Sequence, residues 1–279
     1  MPELPEVETV KNGIAKFTGN AEILQVTVRN RKFRETIPEN FAVSVCGARI
    51  NGYRRQGKYI VIELDNGRSI IWHLGMSGRI KTAVSEPSEQ KHDHVLIKTS
   101  AGWLIFHDPR RFGILTVCAT DRLAEHPYFA KMGPDPFDPL LTADYLFEQL
   151  GKRRTSVKQA LLDQETIAGI GNIYASEILF RAGILPTRPA GEISRQECGP
   201  LLESIREILK QAIANGGSTL HDYHRPDGSL GYFQNLHCVY NKTGKPCPGC
   251  TCAAGHDDRG IRKIVQGGRS TFYCPVKQK

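Results

Sequence analysis

The chain has 279 residues, 40% of them hydrophobic and 24% charged, with 37 basic against 29 acidic side chains, a balance of +8. That length accommodates two domains with ordinary cores. No run approaches the eighteen or so apolar residues of a membrane span, and the acidic start MPELPEVETV lacks the apolar stretch of a signal peptide, so a soluble, cytoplasmic protein without a membrane partner is expected. In chain order, Val7, Val10, Ile14 and Phe17 recur at helical spacing and predict a short helix over Pro5–Phe17. From Glu22 to about Cys118, short apolar runs (ILQVTV, YIVIEL, SIIWHL, HVLIKT, WLIFHD) alternate with Gly, Asn, Asp and basic turns, the texture of an antiparallel β-sandwich. The stretch GPDPFDPLLTADY reads as a linker, and LTADYLFEQL, RTSVKQALLD, NIYASEILFRAG and SRQECGPLLESIREILKQAIANG read as amphipathic helices. Gly216–Gln234 is a polar loop without a strong period, and a loop of that length is usually functional or disordered.

Cys46, Cys118 and Cys198 are scattered singly, as buried small hydrophobes are. Cys238, Cys247, Cys250, Cys252 and Cys274 fall together in the last 42 residues, which in a reducing compartment favours a metal over disulfides. From Asn241 to Lys279 there are eight basic residues and two acidic, so most of the positive balance sits beside those cysteines. The combination points to a polyanion, nucleic acid ahead of membrane.

The chain begins Met1-Pro2-Glu3. Removal of Met1 would expose Pro2 as a secondary α-amine, with a pKa of roughly 7.7–8.0 against about 10.4 for lysine, and therefore far more often nucleophilic at neutral pH. Such an amine attacking a sugar C1′ gives an iminium that activates the adjacent C2′ proton for elimination, with Glu3 and Glu6 close in sequence to manage protons. Further along, Gly169-Ile170-Gly171 precedes a helix opened by Asn172, and a helix N-terminus offers free N–H groups to phosphate.

PELPEVET, QGKYIVIEL, IIWHLGMSGRI, DPRRFGIL, IAGIGNIYASEILFRAGI and GGRSTFYCP, in that order from Pro2 to Cys274, resemble the formamidopyrimidine-DNA glycosylase family. The resemblance implies an α+β fold: an N-terminal helix and antiparallel β-sandwich (1–133), a helix–two-turns–helix domain with a lesion-lid loop (134–236, lid 216–234), and a zinc-finger-like β-hairpin (237–279). It implies a monomeric base-excision repair enzyme for 8-oxoguanine and formamidopyrimidines in double-stranded DNA. Such an enzyme also cuts the abasic strand by β,δ-elimination. Pro2 then matches the Schiff-base nucleophile, Glu3 the acid, Lys58 the proton donor in β-elimination, and Arg269 the finger arginine on phosphates. Met76, Arg110 and Phe112 match the inserted triad, His73, His92, Arg153, Lys158 and Asn172 match DNA contacts, and Thr219 and Tyr223 lie in the lid. A flipped base leaves a hole in the stack, which apolar wedges and a donor such as Arg110 can fill.

The finger departs from the family's two Cys-x₂-Cys pairs. Cys247-Pro-Gly-Cys250 is intact, but the second half reads Cys274-Pro-Val-Lys277. An ammonium has no lone pair for zinc, which takes four ligands in structural sites. A single zinc per chain would need Cys252 or His256 as fourth ligand; a weak three-ligand site and a metal-free hairpin are the alternatives. Two other functions remain open at this level: an endonuclease VIII-type enzyme for oxidised pyrimidines, and a lesion-binding protein without catalysis.

Overall fold

The computed structural model describes residues 1–219, 226, 228–250 and 260–279. The chain forms two compact units, Met1–Lys131 with Ala212–Gln234, and Met132–Gln211 with Asn235–Lys279.

The first unit opens with α1 (Leu4–Thr18), whose buried face includes Leu4 and three of the four positions the spacing predicts, Val7, Val10 and Ile14, with the fourth, Phe17, half-buried against the core. Pro5 lies in its first turn, where a missing N–H costs nothing, and the Glu3 N–H is taken by the Glu6 carboxylate at 2.9 Å. Two antiparallel four-stranded sheets follow. One runs β1 (Ile23–Val28), β6 (Asp93–Thr99), β7 (Gly102–His107), β5 (Arg79–Ala83) across its width. The other runs β2 (Ile50–Gln56), β3 (Tyr59–Leu64), β4 (Arg68–His73), β8 (Ile114–Ala119). Trp72, Phe106, Phe41, Ile60, Ile62 and Ile97, with α1, make one buried core. The sandwich expected from the alternating strands is present. The short helix α2 (Phe41–Val45) and strands β2, β5 and β8, which the apolar runs did not single out, complete it. Of the three scattered cysteines, Cys198 is buried as expected, whereas Cys118 is half-buried and Cys46 is exposed just past the end of α2.

The second unit holds α3 (Ala143–Gly151), α4 (Val157–Leu162), α5 (Asn172–Ala182) and α6 (Arg195–Ala214, which runs on into the first unit), then the hairpin of β9 (Arg262–Gln266) and β10 (Arg269–Tyr273). Ser156 caps α4 by accepting the Gln159 N–H, so this helix starts at its first apolar residue, Val157, three residues into the segment RTSVKQALLD. Gly183, left-handed at φ 73°, ends α5. The Pro- and Asp-rich stretch read as a linker is tied down: the Arg206 guanidinium donates to the carbonyls of Pro136, Asp138 and Leu141. Among the described residues, no helix is long and apolar enough to cross a membrane.

Candidate functional site

In the first unit, Pro2 and Glu3 are buried at the start of α1, while Met1 is half exposed. Met1 lines a pocket of about 610 Å³ whose wall also includes His73, Met76, Arg110 and Phe112. The residue whose removal frees the Pro2 nitrogen thus stands in that wall. Glu6 joins the chain start to the root of the 216–234 loop: its carboxylate accepts from the Glu3 N–H (2.9 Å) and from the Ser218 N–H (2.7 Å). A Cβ on Gly217 would stand 2.7 Å from that carboxylate, so only glycine fits this approach. Thr219 is fixed on both sides, its N–H donating to the Gln234 side chain and its hydroxyl accepting the Gly231 N–H. Tyr223 lies outside the described residues.

Lys58 sits buried in the turn between β2 and β3. His73, at the end of β4, has its pKa lowered to about 4, by burial first and then by the charges of Lys58, Arg34 and the chain's α-amino group. Its Nδ1 accepts the Gly75 N–H at 2.9 Å, so the hydrogen-bond pattern places the ring proton on Nε2, a neutral donor suited to a phosphate oxygen. A histidine harder to protonate when folded takes up its proton on unfolding. Its contribution to stability is therefore complete above pH 6.5 and is lost as pH falls toward 4, at about 1.4 kcal/mol per pH unit at most. Thermal midpoints measured from pH 7 to 4 should fall less steeply in His73→Asn than in the parent chain. Equal slopes would remove His73 from this account.

Met76 and Phe112 are exposed large apolar side chains, 40% and 43% accessible, and the Arg110 guanidinium lies 4.7 Å from the Phe112 ring centroid. The turns that carry them are cinched by Asp108, which is fully buried. Asp108 accepts the Ser77 hydroxyl on one oxygen and the Gly113 N–H on the other, both at 2.8 Å. The turns approach so closely that a Cβ on Gly75 would meet the Phe112 carbonyl carbon at 2.4 Å. Arg111 holds a left-handed backbone at φ 55°, a conformation that side chains other than glycine rarely adopt. His92 packs edge-on against His94 and His107 at the start of β6.

In the second unit, Gln164 braces the turns before α5, donating to the Leu162 and Ile170 carbonyls and accepting the Gly169 N–H. Asn172 begins α5. Its side chain accepts from Lys158 Nζ (2.7 Å) and donates to the Ser270 carbonyl (2.9 Å). Lys158 is fully buried and also donates to the Thr271 hydroxyl at 2.7 Å, so it ties α4 and α5 to the hairpin. Arg153 pairs with Asp163 at 2.7 Å. Arg269 follows the turn Gly267-Gly268 (φ 53° and 73°) and is exposed beside it.

The Sγ atoms of Cys247, Cys250 and Cys274 lie within 4.8 Å of one another. Ligands of one tetrahedral zinc stand roughly 4 Å apart, so this trio fits such an ion. The Lys277 N–H donates to Cys274 Sγ, but its ammonium turns onto the Phe180 ring face at 4.4 Å from the centroid and takes no part in the cluster. Cys252 and His256 lie outside the described residues.

A family model described as the formamidopyrimidine-DNA glycosylase N-terminal domain matches residues 1–115, and one described as the formamidopyrimidine-DNA glycosylase H2TH domain matches residues 132–224. The chain belongs to the formamidopyrimidine-DNA glycosylase family. Among relatives carrying the name formamidopyrimidine-DNA glycosylase, those of Acidiphilium cryptum and Rhodospirillum rubrum are 46% and 42% identical, with all of both chains covered. The crystal structure of the MutM (Fpg) protein from Thermus thermophilus superposes at TM-score 0.87 with 36% identity, covering 99% of this chain and 98% of that one. A Lactococcus lactis Fpg mutant in complex with Fapy-dG-containing DNA superposes at 0.89 with 34% identity, covering all of both chains. The Lactococcus lactis Fpg complexed with abasic-site DNA also superposes at 0.89 with 34% identity, covering 99% of each.

Within this glycosylase chain, sequence reasoning named Glu6 only for proton handling, whereas its carboxylate holds the Glu3 and Ser218 N–H groups, and three further organising residues, Asp108, Gln164 and Glu177, escaped it. Glu177 is buried in α5 and accepts the backbone N–H groups of Cys238, Val239 and Tyr240, which holds the start of the finger. Burial pushes its carboxyl pKa up, against the pull of those three donors. None of Asp108, Gln164 and Glu177 stands in a spacing that betrays its role. The only signal was the acid at the third helical position, Glu6, which completes an N-terminal cap.

Proposed function

We propose that this chain is a base-excision repair glycosylase that removes oxidised purines from double-stranded DNA and then nicks the abasic strand. One observation carries the reading: a single pocket wall holds Met1, at the future amine, together with His73 and the exposed Met76, Arg110 and Phe112. A base-flipping lyase needs those two tools side by side. The relatives solved with Fapy-dG and abasic-site DNA support the choice of substrate.

In this reading the Pro2 nitrogen, freed of Met1, attacks C1′; the N–C1′ bond forms, the glycosidic bond breaks and the base leaves with a proton, after which the C1′–O4′ bond opens, O4′ takes a proton managed by Glu3, and the nitrogen lone pair completes the iminium. The resulting iminium acidifies C2′, loss of that proton expels the 3′ phosphate, and a second elimination expels the 5′ phosphate. Lys58 serves as proton donor in the first elimination. Arg269, with His73, His92, Arg153 and the N-terminus of α5 at Asn172, grips phosphates. Lys158 acts through Asn172 and the hairpin it tethers. Met76, Arg110 and Phe112 fill the hole, and Thr219 and Tyr223 belong to the lid over the extruded base. The working modules are 1–133, 134–236 and 237–279, in a cytoplasmic monomer.

One zinc per chain is part of the reading, held by Cys247, Cys250 and Cys274 with Cys252 or His256 as the fourth ligand. The metal would supply a structural cross-link to the finger. Metal analysis should return one zinc per chain, and a chelator should lower the thermal midpoint. Whichever of Cys252→Ala and His256→Ala drops the zinc content names the fourth ligand, and a metal-free chain of unchanged stability would refute the site.

The functional test is a duplex with 8-oxoguanine opposite cytosine, incubated with Met-processed protein and borohydride. A lesion-dependent covalent complex, with strand ends phosphorylated on both sides of the gap, is the expected result. A complex on thymine glycol alone would move the assignment to oxidised pyrimidines, and tight binding without a complex would leave a lesion-binding protein.

A further inference from the structure

Between β1 and α2 the chain reads Arg29-Asn30-Arg31-Lys32-Phe33-Arg34, four cations in six residues. Residues 31–34 alternate in fate. Arg31 folds inward and donates to the carbonyls of Ile37, Pro38 and Glu39, which closes the loop on itself. Phe33 stacks on Phe106 at 5.2 Å and meets the His94 ring edge-on at 5.5 Å. Lys32 and Arg34, between and after them, are exposed. Both line the pocket that holds Met76 and Arg110, and neither has an ion-pair partner among the described residues. The nearest acid in the chain, Glu35, is engaged by the Tyr128 hydroxyl. With Arg110 and Arg111, four cationic side chains face one pocket whose described lining contains no carboxylate.

A rim of like charge repels itself unless a polyanion neutralises it. We propose that Lys32 and Arg34 are a second backbone grip, taking phosphodiester oxygens of the DNA beside the gap that Met76, Arg110 and Phe112 fill. The inference rests on the repair reading above. The loop is built for the task, because Arg31 and Phe33 fix its shape and leave their neighbours free to hold a ligand. Arg34 also lies near enough to His73 for its charge to hinder protonation there, which puts it at the catalytic edge of the pocket.

The test uses Lys32→Gln, Arg34→Gln and the double variant, with exposed Lys16→Gln on α1 as a control of equal charge change. Affinity for the 8-oxoguanine duplex is measured across salt concentrations. Each neutralised phosphate contributes about 0.9 to the slope of log affinity against log salt. The singles should each lose about that much and the double about twice it, with thermal midpoints unchanged and Lys16→Gln matching the parent chain. Neutral methylphosphonate linkages placed in the lesion strand or in its complement then identify the strand held, as the one whose neutralisation abolishes the double variant's deficit. Parental slopes in the double variant, an equal drop in Lys16→Gln, or a deficit unaffected by methylphosphonates in either strand would overturn the grip. Borohydride trapping by the parent chain on the same duplex reports separately: without it the repair reading fails, whereas trapping with parental slopes sinks only the grip.

Discussion

A preparation that retains Met1 should form no covalent adduct with 8-oxoguanine DNA under borohydride, and its strand cutting should fall by about three orders of magnitude or more. The reason is electronic. With Met1 in place the Pro2 nitrogen is a peptide nitrogen, its lone pair delocalised into the carbonyl. Once freed, it becomes an amine with a pKa of roughly 8, a substantial fraction of it unprotonated at neutral pH. Being secondary, it yields an iminium that is cationic at every pH. Mass spectrometry of the N-terminus, run beside the trapping gel, ties the adduct to the processed fraction. An adduct on chains that keep Met1 would move the nucleophile elsewhere, with the Met1 α-amine, beside the pocket, and buried Lys58 the next amines to examine.

Asp108→Ala should cost about 2–4 kcal/mol of stability and weaken lesion-DNA binding by about tenfold or more. The substitution strips the partner from the Ser77 hydroxyl and the Gly113 N–H in a dry interior, where each unpaired group costs about 1–3 kcal/mol. It also uncouples the turn bearing Met76 from the turn bearing Arg110 and Phe112, so these three exposed side chains lose their fixed geometry. Asp108→Asn keeps one acceptor and should fall between the two. Urea unfolding and a binding titration check both halves. Parental stability together with parental affinity in Asp108→Ala would mean the cinch is dispensable.

Much of the architecture was legible where a local pattern suffices. The run YIVIEL coincides with β3, and the spacing of Val7, Val10 and Ile14 gives the buried face of α1. Strand β2 was not legible: INGYRRQ is polar, carries a glycine, and lies at the edge of its sheet, where one side needs no apolar partner. Helix α2 has five residues, too few for a period to show. The site divides the same way. Pro2, Lys58, Arg110 and Arg269 came into view through motifs in order along the chain. Asp108 and Glu177 did not, because a buried carboxylate is defined by the N–H and O–H groups that fold around it, and those come from distant segments. The resemblance aligns Lys158 with a DNA contact, yet its ammonium is completely buried on acceptors from Asn172, Ser270 and Thr271.

The hairpin that carries Arg269 has a further consequence for how this family can diversify. Five residue pairs between β9 and β10 and a two-glycine turn set where the arginine projects. Gln266 moors the hairpin to Ser156 and Pro186. None of these restraints involves the length of chain between Cys250 and β9. Doubling a flexible connection costs only about 0.6 kcal/mol of closure entropy. The tip is therefore insulated from drift at the base: residues can be inserted near the cysteines while Arg269 keeps its aim.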